Sequence, residues 1–402
     1  YASQNLMGEI QIASGDLNSA LKNFESTLFI LEGLTKMIPK SSYIAADLAV
    51  AYERVGSIYY RIRRLDDALK GYTEFNKVAQ ELFVTEPKDN YKDTLARSNS
   101  RLGEINEELG HLEDAFVFFK KYSKLNEELN LKYPHVISYK HGLAISYSNL
   151  GRIYDEMGQY EMALKFHKDG NNLAEEIYMS YPHVIKYKHN LAITFINLAG
   201  IYKNIESVDN AFKFYDKAVV LLNELHETDP QDLSYKHDLA ISFLNSGLTY
   251  EKTNQLEIAL IFYLGFNKLM GELYNTNPND ISFKKDLAKS FSRLGGINIM
   301  SGQFDEALKF YIDEKKLFEE LNKSYPQDVT FKKNLAISAL ALGWNYQLLG
   351  LLEDALICDK EGSTLFEELH TAFPNDSLLK KSLATSYIRS ASVLNQNHNI
   401  YS

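Results

Sequence analysis

Residues 139–182, YKHGLAISYSNLGRIYDEMGQYEMALKFHKDGNNLAEEIYMSYP, hold two apolar-periodic segments joined by a short turn at Gly158 and closed by Pro182. In the first, Leu143, Ala144, Tyr147, Leu150, Gly151 and Tyr154 recur at steps of three and four, the spacing that gathers side chains on one face of an α-helix. In the second, Tyr160, Ala163, Leu164, Phe166, Leu173 and Ile177 do the same. The pattern starts again at Tyr187, Tyr235, Phe283, Phe331 and Leu379, every 48 residues, and upstream at Tyr91 and, one residue out of step, at Tyr43. A helix pair of this kind cannot bury its apolar face alone and must stack on its neighbours, which predicts an all-α solenoid of antiparallel helix pairs.

All eight prolines, at 39, 87, 134, 182, 230, 278, 326 and 374, fall at one point of the unit. Proline lacks an amide hydrogen and disfavours helical geometry in the residue before it, so each second helix is expected to stop just before its proline. One alanine never changes: Ala20, Ala68, Ala115, Ala163, Ala211, Ala259, Ala307 and Ala355. A small side chain is needed where helix axes approach to about 8 Å. Gly8, Gly56, Gly103, Gly151, Gly247, Gly295 and Gly343 point to the same crowding in the first helix, with Ala199 and Ala391 as exceptions.

The order Leu-Gly, Tyr, Gly, Tyr or Leu, Ala-Leu and aromatic resembles the tetratricopeptide repeat, in an extended 48-residue variant of bacterial type, across the whole chain. The resemblance implies a right-handed superhelix of eight helix pairs plus one final helix, filling residues 1–402, with the first helices lining its concave surface. Units depart from the pattern at Glu206-Ser207-Val208, in place of the turn glycine, and at Asn106 and Asn298, in place of Tyr154. The chain opens inside the repeat pattern and ends after the first helix of a further unit, so both ends are expected to be cuts in a longer protein.

With 45% apolar and 24% charged residues the composition is that of a folded chain, and no uncharged apolar run is long enough to span a membrane. Forty-three Lys and Arg against 53 Asp and Glu give a net charge of −10, the wrong sign for a surface devoted to nucleic acid. The single cysteine, Cys358, and the absence of a leader pattern fit a cytoplasmic setting; Cys358 occupies a core position and reads as a buried, inert thiol. No P-loop, nucleophile elbow, zincin or C-x-x-C pattern occurs, and neither enzyme activity nor a cofactor is expected.

Lys92, Lys140, Lys188, Lys236, Lys284, Lys332 and Lys380 recur one residue after each unit's opening position. They form either an edge paired with acids such as Glu224, Glu272 and Glu320 or an anion-binding ridge. The histidine ladders, His135 with His183 and His141 with His189 and His237, stand too far apart for zinc, which needs its ligands about 2 Å from one ion.

Function is expected where units differ. With Leu335 facing the core, Leu342 and Tyr346 fall within about 20° of it, and Ile337, Leu340, Trp344 and Leu348 within about 40° of the opposite direction. The same positions read Arg97, Ser100, Glu104, Glu108, then Ile145, Ser148, Arg152, Glu156, then Ile241, Leu244, Leu248, Lys252, then Lys289, Ser292, Gly296, Met300. The face is therefore charged in its first half and apolar in its second.

Three readings of the apolar stripe are open: capture of a partner, burial under a cap, or dimerisation. The expected function is a non-enzymatic array that takes a protein or peptide, with Leu244, Leu248, Met300, Leu340, Trp344 and Leu348 as anchors. Glu104, Glu108, Arg152 and Glu156 would orient the partner. The alternative is a self-associating homo-oligomer. Resemblance to long arrays of this type implies a sensor or scaffold part of a larger signalling or defence protein.

Overall fold

The computed structural model describes residues 2–401. Its helices are α1 Ala2–Ala13, α2 Leu17–Met37, α3 Ser42–Arg61, α4 Leu65–Thr85, α5 Asp89–Glu108, α6 Leu112–Lys132, α7 Ile137–Glu156, α8 Tyr160–Ser180 and α9 Ile185–Asn204. They continue as α10 Val208–Thr228, α11 Leu233–Lys252, α12 Leu256–Thr276, α13 Ile281–Met300, α14 Phe304–Ser324, α15 Val329–Leu348, α16 Leu352–Ala372 and α17 Ser377–Tyr401. The chain forms two compact units, one running to Ser207 and the other from Val208. Each is an α-solenoid in which every helix packs on the next; unit 1 holds four helix pairs and α9, and unit 2 holds α10, three pairs and α17. From α5 onward the first helices start at 89, 137, 185, 233, 281, 329 and 377, a constant step of 48.

Each second helix ends one or two residues before its proline, as expected, and the residue before proline leaves helical geometry: Tyr181 has φ −138° and Phe373 φ −130°. The turn inside a pair needs one residue with left-handed backbone. Gly158 supplies it with φ 72°, but Glu206, where the glycine is missing, adopts φ 62° all the same. A side chain there costs about 1–2 kcal/mol, which the packing on either side must offset.

The invariant alanines have no exposed surface. The first-helix glycines receive a ring from the partner helix: a Cβ on Gly103 would stand 2.5 Å from the Phe119 ring, one on Gly151 2.7 Å from His167, and one on Gly295 2.7 Å from Tyr311. The core repeats as a ring-over-glycine contact within each pair. In the last pair Asp359 takes the ring's place against Gly343, and its buried carboxylate accepts from Arg389 on α17 at 2.9 Å.

Candidate functional site

The lysine ladder is structural. Lys92 pairs with Glu128 at 2.8 Å, Lys140 with Glu176 at 3.1 Å, Lys236 with Glu272 at 2.9 Å, Lys284 with Glu320 at 2.6 Å, and Lys332 with Glu368, in each case from the first helix to the second of one pair. Asp232, Asp280 and Asp328 cap α11, α13 and α15 by accepting from the backbone amides two and three residues on. Cys358 lies in the core with Ala307, Tyr311 and Leu342, where burial pushes its thiol up to about 11, so it stays protonated and inert.

Neighbouring first helices are joined by bridges between residues 49 apart. In unit 1 His141 meets Asn190, and Asn204 donates to Asp155 at 2.8 Å. In unit 2 His237 meets Asp286 at 3.5 Å, and Gln347 donates to Gln396 at 2.8 Å. Each bridge sets a residue of one first helix against the residue 49 positions later on the next.

On the first-helix face of unit 1 the charges meet one another. Glu53 of α3 receives Arg97 at 3.2 Å and Arg101 at 3.4 Å, and Arg101 also reaches Glu104 at 2.9 Å. Arg152 of α7 pairs with Glu107, and Glu108 with Arg63. Glu108 and Arg152 thus tie adjacent segments together, Glu104 holds Arg101 within α5, and Glu156 is exposed at the end of α7.

A cleft of about 250 Å³ opens between α7 and α9 over α8. Ile145, Ile177 and Ile193 make it apolar; His141, Asn149, Arg152, Asn190 and Asn197 line it with polar groups. Burial holds the His141 imidazole down at about 4, with Lys186 adding to the effect, so it is neutral at pH 7. Asn149 and Asn197 occupy one repeat position on successive first helices, a signal readable by aligning the units but absent from the contrast drawn above.

In unit 2 the expected apolar face is present in part. Trp344 and Ile337 are each 45% exposed, Leu348 38% and Met300 51%. Leu340 and Leu248 are half-buried. Leu340 lies over Gly362, whose Cβ would stand 2.8 Å from it, and joins the core of Ala336, Phe366, Leu369 and Leu379. Leu244 corrects the expectation: at 3% exposure it belongs to the core and cannot anchor a ligand. Its repeat position is that of Leu340, turned toward the second helix of the pair. A first helix in this stack packs on the second helices before and after it, so the direction opposite one core residue is not open throughout.

Two cations on this face, Lys289 and Arg293, were not among the expected site residues. Lys289 and Arg293 on α13 have no carboxylate within ion-pair distance among the described residues. Lys289 is exposed, yet desolvation lowers its ammonium below the ordinary range, with Asp286 opposing and Arg293 and Lys285 reinforcing the shift. Asp286 is itself turned to His237. Glu314, 4% exposed, sits beneath this face near Ser292 and Arg293; burial raises its carboxyl to about 8, so it is largely protonated at pH 7 and gives Arg293 little counter-charge.

No helix among the described residues is long and apolar enough to cross a membrane. The sequence profile of the tetratricopeptide repeat matches residues 146–169. A search of curated proteins finds no match. Among solved structures, the apo form of RapI is similar over 79% of this chain and 99% of its own, with 17% identity and a TM-score of 0.51. A Rap protein complexed with Competence and Sporulation Factor is similar over 98% of this chain and 97% of its own, with 14% identity and a TM-score of 0.50. The signal transduction ATPase with a tetratricopeptide repeat sensor from Pyrococcus horikoshii is similar over 98% of this chain and 54% of its own, with 13% identity and a TM-score of 0.50. At such identities the likeness is one of fold: the chain is an α-solenoid similar to those built from tetratricopeptide repeats, with the repeat profile itself matched at residues 146–169.

Proposed function

We propose that the protein is a non-enzymatic interaction array that captures a protein or peptide on its first-helix faces, as the sensor or scaffold part of a larger cytoplasmic signalling or defence protein. The observation that carries this reading is the exposure of Trp344, the only tryptophan, with Ile337, Leu348 and Met300 on first helices whose other sides are closed by core packing. Large exposed apolar side chains gathered on one face are unusual without a partner, and tryptophan is enriched where binding energy concentrates. Leu248 and Leu340 would wall the anchor site. In unit 1, Glu104, Glu108, Arg152 and Glu156 would orient a partner rather than anchor it, since three of them already hold ion pairs.

That a Rap relative in fold was solved with Competence and Sporulation Factor, and that another carries its repeats as a sensor, supports partner capture and signalling. Trp344→Ala is expected to weaken partner binding by about 2 kcal/mol or more while leaving helicity intact. Loss of helicity would place Trp344 in the core and remove the reading. A second reading, self-association through the same exposed side chains, is separated by light scattering: a stable dimer with Trp344 fluorescence shielded favours it.

A further inference from the structure

The cleft of unit 1 has two walls of the same make. α7 and α9 both pack on α8 and meet each other only lightly, which leaves the space between them open. Each wall carries the same two residues about one helical turn apart: Ile145 and Asn149 on α7, Ile193 and Asn197 on α9. Within either unit no other two neighbouring first helices share this Ile-x-x-x-Asn step. Ala144 and Ala174 are small and give the cleft its depth.

The polar groups leave a defined pattern open. Arg152 donates to Asn149 Oδ1 at 3.4 Å and is matched by Glu107, so its charge is taken and Asn149 offers only amide hydrogens. Asn190 gives an amide hydrogen to His141 Nε2 and keeps its carbonyl oxygen as an acceptor. The imidazole can receive that hydrogen because burial keeps it uncharged at pH 7. Asn197 makes no side-chain hydrogen bond among the described residues, so its donor and its acceptor are both available in the cleft.

We infer that this cleft binds an uncharged adenine nucleoside, the purine lying between Ile145 and Ile193 with its N6/N7 edge on Asn197, and a ribose hydroxyl donating to the Asn190 carbonyl. The inference is independent of partner capture on unit 2.

A carboxamide matches that edge of adenine, its oxygen accepting from the N6 amino group while its nitrogen donates to N7. The same edge of guanine holds two acceptors and calls for an arginine or lysine, and the one cation lining the cleft, Arg152, is already paired. With no unmatched cation in the cleft and a chain charge of −10, a phosphate is not favoured, which selects the nucleoside over a nucleotide. Isoleucine walls suit the flat apolar faces of the ring. The cleft of about 250 Å³ lies just under the range of ordinary ligand pockets, about 300–1,000 Å³, and so suits a small molecule. Asn190 and Asn197 are seven positions apart on α9, about 10 Å along the helix, which is the reach of a nucleoside from base edge to sugar hydroxyl.

Calorimetric titration of the whole chain with adenosine tests this, beside guanosine, 7-deazaadenosine, which lacks the N7 acceptor, AMP and a short oligoadenylate RNA. Adenosine is expected to bind at one site, guanosine and 7-deazaadenosine about tenfold or more weakly, and AMP and the RNA no tighter than adenosine. Asn197→Leu, which keeps the side chain's size, and Ile145→Trp, which fills the slot from a position 37% exposed, are each expected to lower adenosine affinity about tenfold or more. Circular dichroism checks that both variants fold, and Asn197→Asp, which removes the donor to N7, replaces either one that does not. No binding of adenosine by folded wild type overturns the inference, as does unchanged affinity in folded variants, which places the nucleoside elsewhere. Equal binding of guanosine or 7-deazaadenosine overturns the edge assignment. AMP or the RNA binding tenfold tighter than adenosine overturns it in favour of a nucleotide or nucleic acid. Each of these outcomes leaves partner capture on unit 2 standing.

Discussion

The first-helix faces of the two units are built on one backbone plan and differ in how their charges are spent. In unit 1 Arg97, Arg101 and Arg152 find glutamates on a neighbouring first helix, Arg97 and Arg101 at Glu53 and Arg152 at Glu107. In unit 2 Lys289 and Arg293 of α13 have no ion pair among the described residues, and Trp344, Ile337 and Met300 are exposed. Exposed ion pairs stabilise by no more than about 1 kcal/mol each, so unit 1 gains modest stiffness from its pairs and gives up affinity for a charged ligand. Unit 2 keeps its charge and its apolar surface available. On the proposed reading of partner capture, one fold acts as spacer or as receptor according to whether its surface groups are satisfied internally.

That comparison requires the cores to be equivalent, and the largest expected effect checks this. Gly103→Ala in unit 1 and Gly295→Ala in unit 2 each press a methyl into a ring, Phe119 or Tyr311. Overpacking costs about 1–3 kcal/mol, against about 1 kcal/mol gained in helix propensity. Similar net losses of up to about 2 kcal/mol in denaturant unfolding are expected from both; a loss confined to one unit would break the equivalence.

Next in size is a contrast in acid and base response. In unit 1, burial takes the His167 imidazole, packed on Gly151 with Arg152 nearby, down to about 4, and His141 likewise. The unfolded state binds these protons first, so stability is lost as pH falls from about 6.5 to about 4. In unit 2 the signs are reversed. Hydrogen bonding to Asp238 and Asp286 raises His237 to about 9, and burial raises Glu314, near Arg293 and Tyr311, to about 8. The folded state then holds the extra protons. The His237 contribution is lost as pH rises from about 6.5 to about 9, and that of Glu314 from about 4.5 to about 8. Amide exchange followed from pH 5 to pH 8 is expected to show protection rising in α7 and α8 and falling in α11, α13 and α14. His167→Phe should flatten the first trend and Glu314→Gln the second; parallel trends in the two units would refute the assignment.

The smallest effect is the most discriminating for the binding face. Gly296→Ala, next to Gly295 in sequence, meets nothing closer than 3.9 Å and is expected to stabilise the fold by up to about 1 kcal/mol. By narrowing the gap at Gly296 it should at the same time weaken partner capture on this face. Equal destabilisation by Ala at 295 and 296 would mean that the gap is filled.

The fold was legible because the features that build it recur: proline stops the second helix, alanine and glycine make room at the crossings, and each recurs every 48 residues. The exposure of Trp344 was legible from helical geometry alone. Leu244 was not, because a wheel centred on one core residue treats the first helix as packed on one side, whereas α11 is packed by both α10 and α12. The charged residues of unit 1 were read as free ligand contacts for a related reason: their partners, such as Glu53 for Arg97, lie 44 residues away on another helix. Lys289 was read as part of the outward face and Arg293 was not, and neither was singled out, because an unmatched cation is recognised only once the positions of all carboxylates are known.

The ring-over-glycine contact lies within one pair, whereas the polar bridges join one pair to the next. Removing or adding a whole unit would preserve every ring contact and test only the bridge at the new junction. A pair brought next to His141 must offer an amide like Asn190, and one brought next to His237 an acid like Asp286. The bridges therefore act as an order code, fixing which unit can follow which, and the array can change length without any redesign of its interior.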